Sequence, residues 1–204
     1  MQAYQRPGRT GEDPELVIGY INAPLRDLIE KYGEDRLNGI LASYHDCVGS
    51  DQEMFLKEKA IMMEKKNMCR TYLAIDGDSR ILGYYSIGLR CMKVPQPVDS
   101  NGEPAKDDRF MNRMNVDPES RVAQSYLIGQ LSRSKDAPKG FGKVLMRDAI
   151  DMIKDANLIV GCRLVRVDCE DGLIDYYSDL GFRKIKKNED DDLNQMAYIL
   201  RSSE

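Results

Sequence analysis

Between positions 125 and 169 the sequence reads as a strand, a glycine-bracketed turn, a long amphipathic helix and a second strand, and few architectures accept that order. Residues 125–132 and 163–169 have strand composition, while 142–157 sets Leu145, Ala149, Met152, Ile153 and Ala156 on one helical face. A helical crossover of that length joins parallel neighbours within one sheet. The expected class is α/β (α+β), a mixed central sheet flanked by helices.

The flanking text extends this sheet. Residues 70–75 and 81–89 are rich in aromatic and branched side chains around Asp76-Gly77-Asp78, which predicts an antiparallel hairpin. Residues 51–66 predict a helix with Asp51 as N-cap and Phe55, Leu56, Ala60 and Met63 at helical spacing. A short helix over 173–180 ends at Gly181, a suitable left-handed cap, and strands near 182–186 and 195–200 follow. The acidic run 189–192 between them reads as a solvated hairpin tip. Residues 92–124 carry prolines and Asn101-Gly102 and are too long for a simple connection; they read as an insertion or substrate-loop segment with a short helix near 110–115. Residues 1–14 read as a loose leader, and 15–45 show only short apolar groups. The expectation is one domain over 1–204, with its core in 125–200.

Composition narrows the function. Of 204 residues, 42% are hydrophobic and 31% charged, ordinary for a soluble protein, and no apolar run approaches the roughly 20 residues that span a bilayer. No secretory pattern opens the chain, so a cytoplasmic location without membrane attachment is expected. A net charge of -4 gives no overall field favouring nucleic acid, although a local basic patch still can. Five cysteines form no CxxC pair and there is one histidine, His45, so neither a disulfide framework nor a metal site is expected.

Chemistry concentrates at Lys139-Gly140-Phe141-Gly142-Lys143. A turn of this kind before a helix offers main-chain N–H groups at the positive end of a helix dipole, where phosphate can dock. A nucleotide P-loop would need glycine at Ala137 and a hydroxyl at Val144, and a dinucleotide fingerprint would need a small residue at Leu145. Neither nucleotide motif fits; a plain turn before a helix does.

The surrounding residues resemble the GNAT family of N-acetyltransferases. That family's cofactor signature is a strand, then Gln or Arg, two residues, Gly, one residue and Gly or Ala, then a helix. Here it reads Leu127-Ile128-Gly129-Gln130-Leu131-Ser132, then Ala137-Pro138-Lys139-Gly140-Phe141-Gly142, then the helix from Lys143. The stretch Tyr177-Ser178-Asp179-Leu180-Gly181-Phe182 is similar to the family's second hallmark, tyrosine, three residues, then Gly-Phe. Cys69-Arg70-Thr71-Tyr72 and Gly83-Tyr84-Tyr85 look like the first half of toxin-type members from bacterial toxin-antitoxin modules. Ala137 departs from the pattern, since Gln or Arg is usual there.

The resemblance implies a V-shaped splay between the two central parallel strands. It also implies an acetyl-CoA cosubstrate and direct acetyl transfer to a primary amine of a protein, a small molecule or an aminoacyl-tRNA. Main-chain groups of Leu131, Ser132 and Arg133 would face the pantetheine and thioester. Lys139, Gly140, Phe141, Gly142 and Lys143 would hold the pyrophosphate, and Tyr177 would protonate the leaving sulfur. An antitoxin partner and a homodimer are compatible with it, as is a non-catalytic module that only binds coenzyme A. The base stays open: Glu170, Asp168 and Asp171 lie near a strand end, and His45 is of the residue type most often used as a base. Arg163, Arg166, Arg183, Lys184, Lys186 and Lys187 cluster late in the chain; they read as a solvated face or, if convergent, as an anionic-substrate surface.

Overall fold

The computed structural model describes residues 19–47, 51–96, 98, 101, 109–188 and 190–200. The leader 1–14, the groups at 15–18 and part of the 92–124 stretch lie outside the described residues. Among the described residues seven strands form one mixed sheet: β1 (Tyr20–Pro24), β2 (Arg70–Asp76), β3 (Ile81–Lys93), β4 (Val122–Arg133), β5 (Leu164–Cys169), β6 (Arg183–Lys187) and β7 (Asn194–Ile199), in the order β1-β2-β3-β4-β5-β7-β6. The β4–β5 pair is parallel, registered at Tyr126↔Val165 and Leu127↔Arg166, although β4 runs on to Arg133. The β1–β2, β2–β3, β5–β7 and β6–β7 pairs are antiparallel.

The chain divides into two compact units. The first is built from the chain up to Gly88 together with Gly129–Met152, the second from Leu89–Ile128 and Ile153 onward. In the first unit α1 (Leu25–Tyr32) follows Pro24 and α2 (Glu34–Ala42) follows Gly33, whose φ of 76° suits glycine. Both are short and bury only Leu25, Leu37 and Leu41. Next come α3 (Asp51–Met54), a π-helical turn (Phe55–Lys59) and α4 (Ala60–Lys65). Phe55, Leu56, Ala60 and Ile61 join Leu73 and Tyr84 in the buried core of this unit. Glu64, 4% exposed, accepts from Arg70 Nη1 at 3.0 Å and the Thr71 N–H at 2.9 Å, tying α4 to β2.

In the second unit, the ends of the 92–124 stretch are strand: β3 continues to Lys93 and β4 starts at Val122. Met92, Val94, Met114 and Ala123 are buried with Leu164 and Ala197. The short helix expected there is α5 (Arg109–Asn112). No helix among the described residues is long and apolar enough to cross a membrane.

Candidate active site

The helix α6 (Phe141–Asn157) buries Leu145, Ala149 and Ile153 as its periodicity demands. Phe141, 1% exposed, opens the helix as an anchor, its ring edge-on to Tyr20 with centroids 5.3 Å apart. Tyr20 Oη and Asn22 Nδ2 both donate to Asp148 Oδ2, at 2.7 and 2.8 Å, so β1 pins the same helix. Strand β3 approaches β4 closely because position 83 is glycine: a Cβ there would lie 2.6 Å from both the Ser132 carbonyl and Leu145 Cδ1.

The turn between β4 and α6 is closed by its own main chain. The Ala137 N–H donates to Ser134 O at 3.1 Å, Phe141 N–H to Pro138 O at 3.2 Å and Lys143 N–H to Gly140 O at 2.9 Å. Gly140 has φ 91°, a conformation that strains any residue with a Cβ. Lys139 and Lys143 are exposed, and the first turn of α6 holds no carboxylate to compete for an anion. Ala137 is buried, and Arg133 Nη1 donates to its carbonyl at 2.7 Å, so an arginine still reaches this corner from the strand.

Of the strand residues expected to face the thioester, Leu131 is half-buried. The Ser132 hydroxyl accepts from Tyr44 Oη at 2.8 Å, and Arg133 O is contacted by Cys47 Sγ at 3.5 Å. Residues 44–47 thus run along the end of β4: Lys135 N–H donates to His45 O at 3.0 Å, and Asp46 forms an isolated antiparallel bridge with Ser134. Sequence reading left this segment without an assignment. Beside it Glu53 accepts from Lys57 Nζ at 2.5 Å and the Asp46 N–H at 2.9 Å, and its Oε1 lies 3.1 Å from His45 Nδ1. These contacts, Lys57 first, hold the Glu53 carboxyl down to about 2.

Tyr177 belongs to the second unit, on α7 (Ile174–Asp179) after a 3-10 turn (Asp171–Leu173). It is half-buried, its ring edge-on to Tyr176 at 5.2 Å and to Phe182 at 5.8 Å. The Phe182 N–H donates to Tyr177 O at 3.0 Å and Gly181 N–H to Ser178 O at 2.9 Å, with Gly181 at φ 89°. That is a Schellman ending, completed by the side-chain contact between its first and last residues. The spacing of the second hallmark therefore has a complete folding explanation. Burial pushes the Tyr177 phenol upward, so it stays protonated at neutral pH.

The three carboxylates near the end of β5 differ. Asp168 forms a two-pronged pair with Arg166 at 2.7 and 2.8 Å, and Arg166 also donates to Cys91 O at 3.2 Å. Asp171 accepts from Asn194 Nδ2 at 2.8 Å and Lys187 Nζ at 3.2 Å, contacts that lower its carboxyl. Glu170 is exposed. The late basic residues separate likewise. Arg166 is buried within its pair, Lys187 bridges Asp171 and Asp192, Arg183 stacks over Phe110 at 5.1 Å, and Lys184 is exposed. Arg163 lines a depression of about 960 Å³ with Arg113 and Cys162, a cavity that contains none of the residues expected at the active site.

No protein-family model matches this sequence, and no curated protein matches it. Solved structures do. A tyrosine-to-phenylalanine mutant of KacT superposes with a TM-score of 0.62 and 21% identity over 81% of this chain and 91% of that one. AtaT complexed with acetyl-methionyl-tRNAfMet gives 0.57 and 18% over 78% and 86%. An AtaT mutant toxin, also tyrosine to phenylalanine, bound to the C-terminus of the antitoxin AtaR and acetyl-CoA gives 0.55 and 16% over 78% and 84%. The fold is GNAT-like. It is the fold of these toxins, and at such identities the likeness is one of architecture.

Proposed function

We propose that this chain moves an acetyl group from acetyl-CoA to a primary amine by direct transfer. The observation that carries the reading is the turn into α6, where Gly140 is left-handed, Lys139 and Lys143 are exposed and no carboxylate lies in the first turn. The residues fit a pyrophosphate. Phe141 and Lys143 spend their N–H groups inside the turn, which leaves those of Gly140 and Gly142 for the ligand, with the two lysines supplying charge. Phe141 contributes by anchoring the helix, since its side chain faces the core.

When bound, acetyl-CoA supplies an acyl group activated as a thioester. Leu131 offers main chain, and Arg133 offers its N–H, because its carbonyl is engaged by Cys47 and the Ser132 hydroxyl by Tyr44. Tyr177, protonated at neutral pH, is assigned as the donor to the departing sulfur. Calorimetry and a thiol-release assay on the Tyr177→Phe variant test this. Unchanged acetyl-CoA affinity with turnover reduced about 100-fold or more is expected. Wild-type protein that binds acetyl-CoA yet releases no thiol with any amine would instead be the non-catalytic module.

The toxin reading is the second one, and the fold neighbours favour it: AtaT has been captured with acetyl-methionyl-tRNAfMet and with an antitoxin. On this reading the acceptor is an aminoacyl-tRNA and an antitoxin covers the protein. Growth arrest on expression, abolished by Tyr177→Phe, supports it; harmless expression of an active enzyme removes it.

A further inference from the structure

The acetyl-transfer reading gives His45 no part. Successive N–H groups of an extended strand point to opposite edges. Ser134 N–H is spent on Leu82 O of β3 at 2.9 Å, so Lys135 N–H, and His45 with it, lies on the β4 edge turned away from β3. Leu131 and Arg133 share that edge by the same alternation, and they are the main-chain groups assigned above to the acyl carrier.

His45 is exposed at 52% but not loose. Glu53 is held by Lys57 and the Asp46 N–H, and as an ionised carboxylate it can only accept. The imidazole proton therefore sits on Nδ1, and the lone pair of the neutral ring is on Nε2. Among the described residues Nε2 has no partner. A carboxylate-oriented imidazole with an open nitrogen is built to take a proton.

The geometry points to His45 as the general base for the attacking amine, with Glu53 as its positioning residue; this rests on the acetyl-transfer reading. His45 Nε2 takes one N–H proton as the amine nitrogen bonds to the acyl carbon. The C–S bond breaks with its electron pair on sulfur, which takes a proton from the acid assigned above; His45 returns its proton to water, and water reprotonates the donor's phenolate. Glu53 is the charged group against the ring; Lys57 and the Asp46 N–H bind that carboxylate, and the Lys135 N–H donates to the His45 carbonyl.

His45 is the single histidine of the sequence, so in untagged protein one Cε1–H resonance reports it. Its titration is followed in wild-type protein and in Glu53→Gln, which removes the carboxylate 3.1 Å from Nδ1. Initial rates with acetyl-CoA and either bulk aminoacyl-tRNA or a lysine-containing peptide should show a low-pH limb of kcat/KM that follows the midpoint in both proteins. His45→Ala should lose about 100-fold in kcat/KM, keep its acetyl-CoA affinity and recover with added imidazole. A limb that stays put while the midpoint moves, or a His45→Ala enzyme as fast as wild type, overturns the assignment and leaves acetyl transfer standing. Wild-type protein without turnover overturns both.

Discussion

The Phe182 amide donates to the Tyr177 carbonyl at 3.0 Å, and the two rings meet edge to face 5.8 Å apart. One Schellman ending thus carries both the fold of α7 and the phenol assigned as proton donor, and substitutions can separate the two. Gly181→Ala forces a Cβ into φ 89° and toward the Tyr198 ring at 3.4 Å. It should cost about 1–2 kcal/mol in denaturant unfolding. Tyr177→Phe keeps the ring and should change stability by less than about 1 kcal/mol while turnover falls. A Tyr177→Phe protein that unfolds would make the residue structural.

Gly83→Ala probes the approach of β3 to β4. The added methyl meets the Ser132 carbonyl and Leu145 at 2.6 Å, and Ser132 backbone cannot yield as a side-chain tip could. A loss of about 3 kcal/mol is expected, with weaker acetyl-CoA binding because the displaced strand is the one next to the turn proposed to hold the pyrophosphate. An unchanged unfolding midpoint would show that the strands relax apart freely.

What was legible in the sequence follows from which residues own their conformation. The β4, α6, β5 crossover was readable because seventeen-residue α6 repeats its apolar face several times and Gly140 and Gly181 sit at positive φ. The helix near Phe55 was readable, but not its π turn: the buried pairs Phe55-Leu56 and Ala60-Ile61 are five apart, yet Leu56 and Ala60 are four apart, and that spacing alone reads as ordinary helix. Residues 19–45 were opaque because β1, α1 and α2 are each too short to repeat a pattern and bury one or two residues apiece. The pairing of His45 with Glu53 was invisible for a different reason: it depends on where the end of β4 holds residues 45–47, a long-range contact with no local signature.

Acid stability should report Glu53. Its folded-state value is depressed from 4.5 to about 2. Its contribution is therefore fully present above the unfolded value and is lost as pH falls from about 4.5 through about 2. Urea unfolding of wild type and Glu53→Gln across that window should show the wild-type advantage shrinking as pH drops. A difference independent of pH would mean that Lys57, Asp46 and His45 do not hold the carboxylate in solution.

The late basic residues divide into structural and available cations, and a salt titration can tell them apart. Arg166 side-chain exposure is 8% and that of its partner Asp168 is 21%, so Asp168→Ala strands a buried guanidinium and should cost about 3 kcal/mol in stability. Lys184 and Lys186 are partly or fully exposed on β6 with no acidic partner in an ion pair among the described residues, and Lys184→Ala with Lys186→Ala should leave stability within about 0.5 kcal/mol. If bulk tRNA contacts this strand, each lysine removed that touches a phosphate should lower the slope of log affinity against log salt by about one. An unaltered slope in the double variant would assign β6 to solvent and send the search for an anionic acceptor surface to Lys139 and Lys143, whose substitution would then have to weaken acetyl-CoA and tRNA separately to count as evidence for the toxin reading.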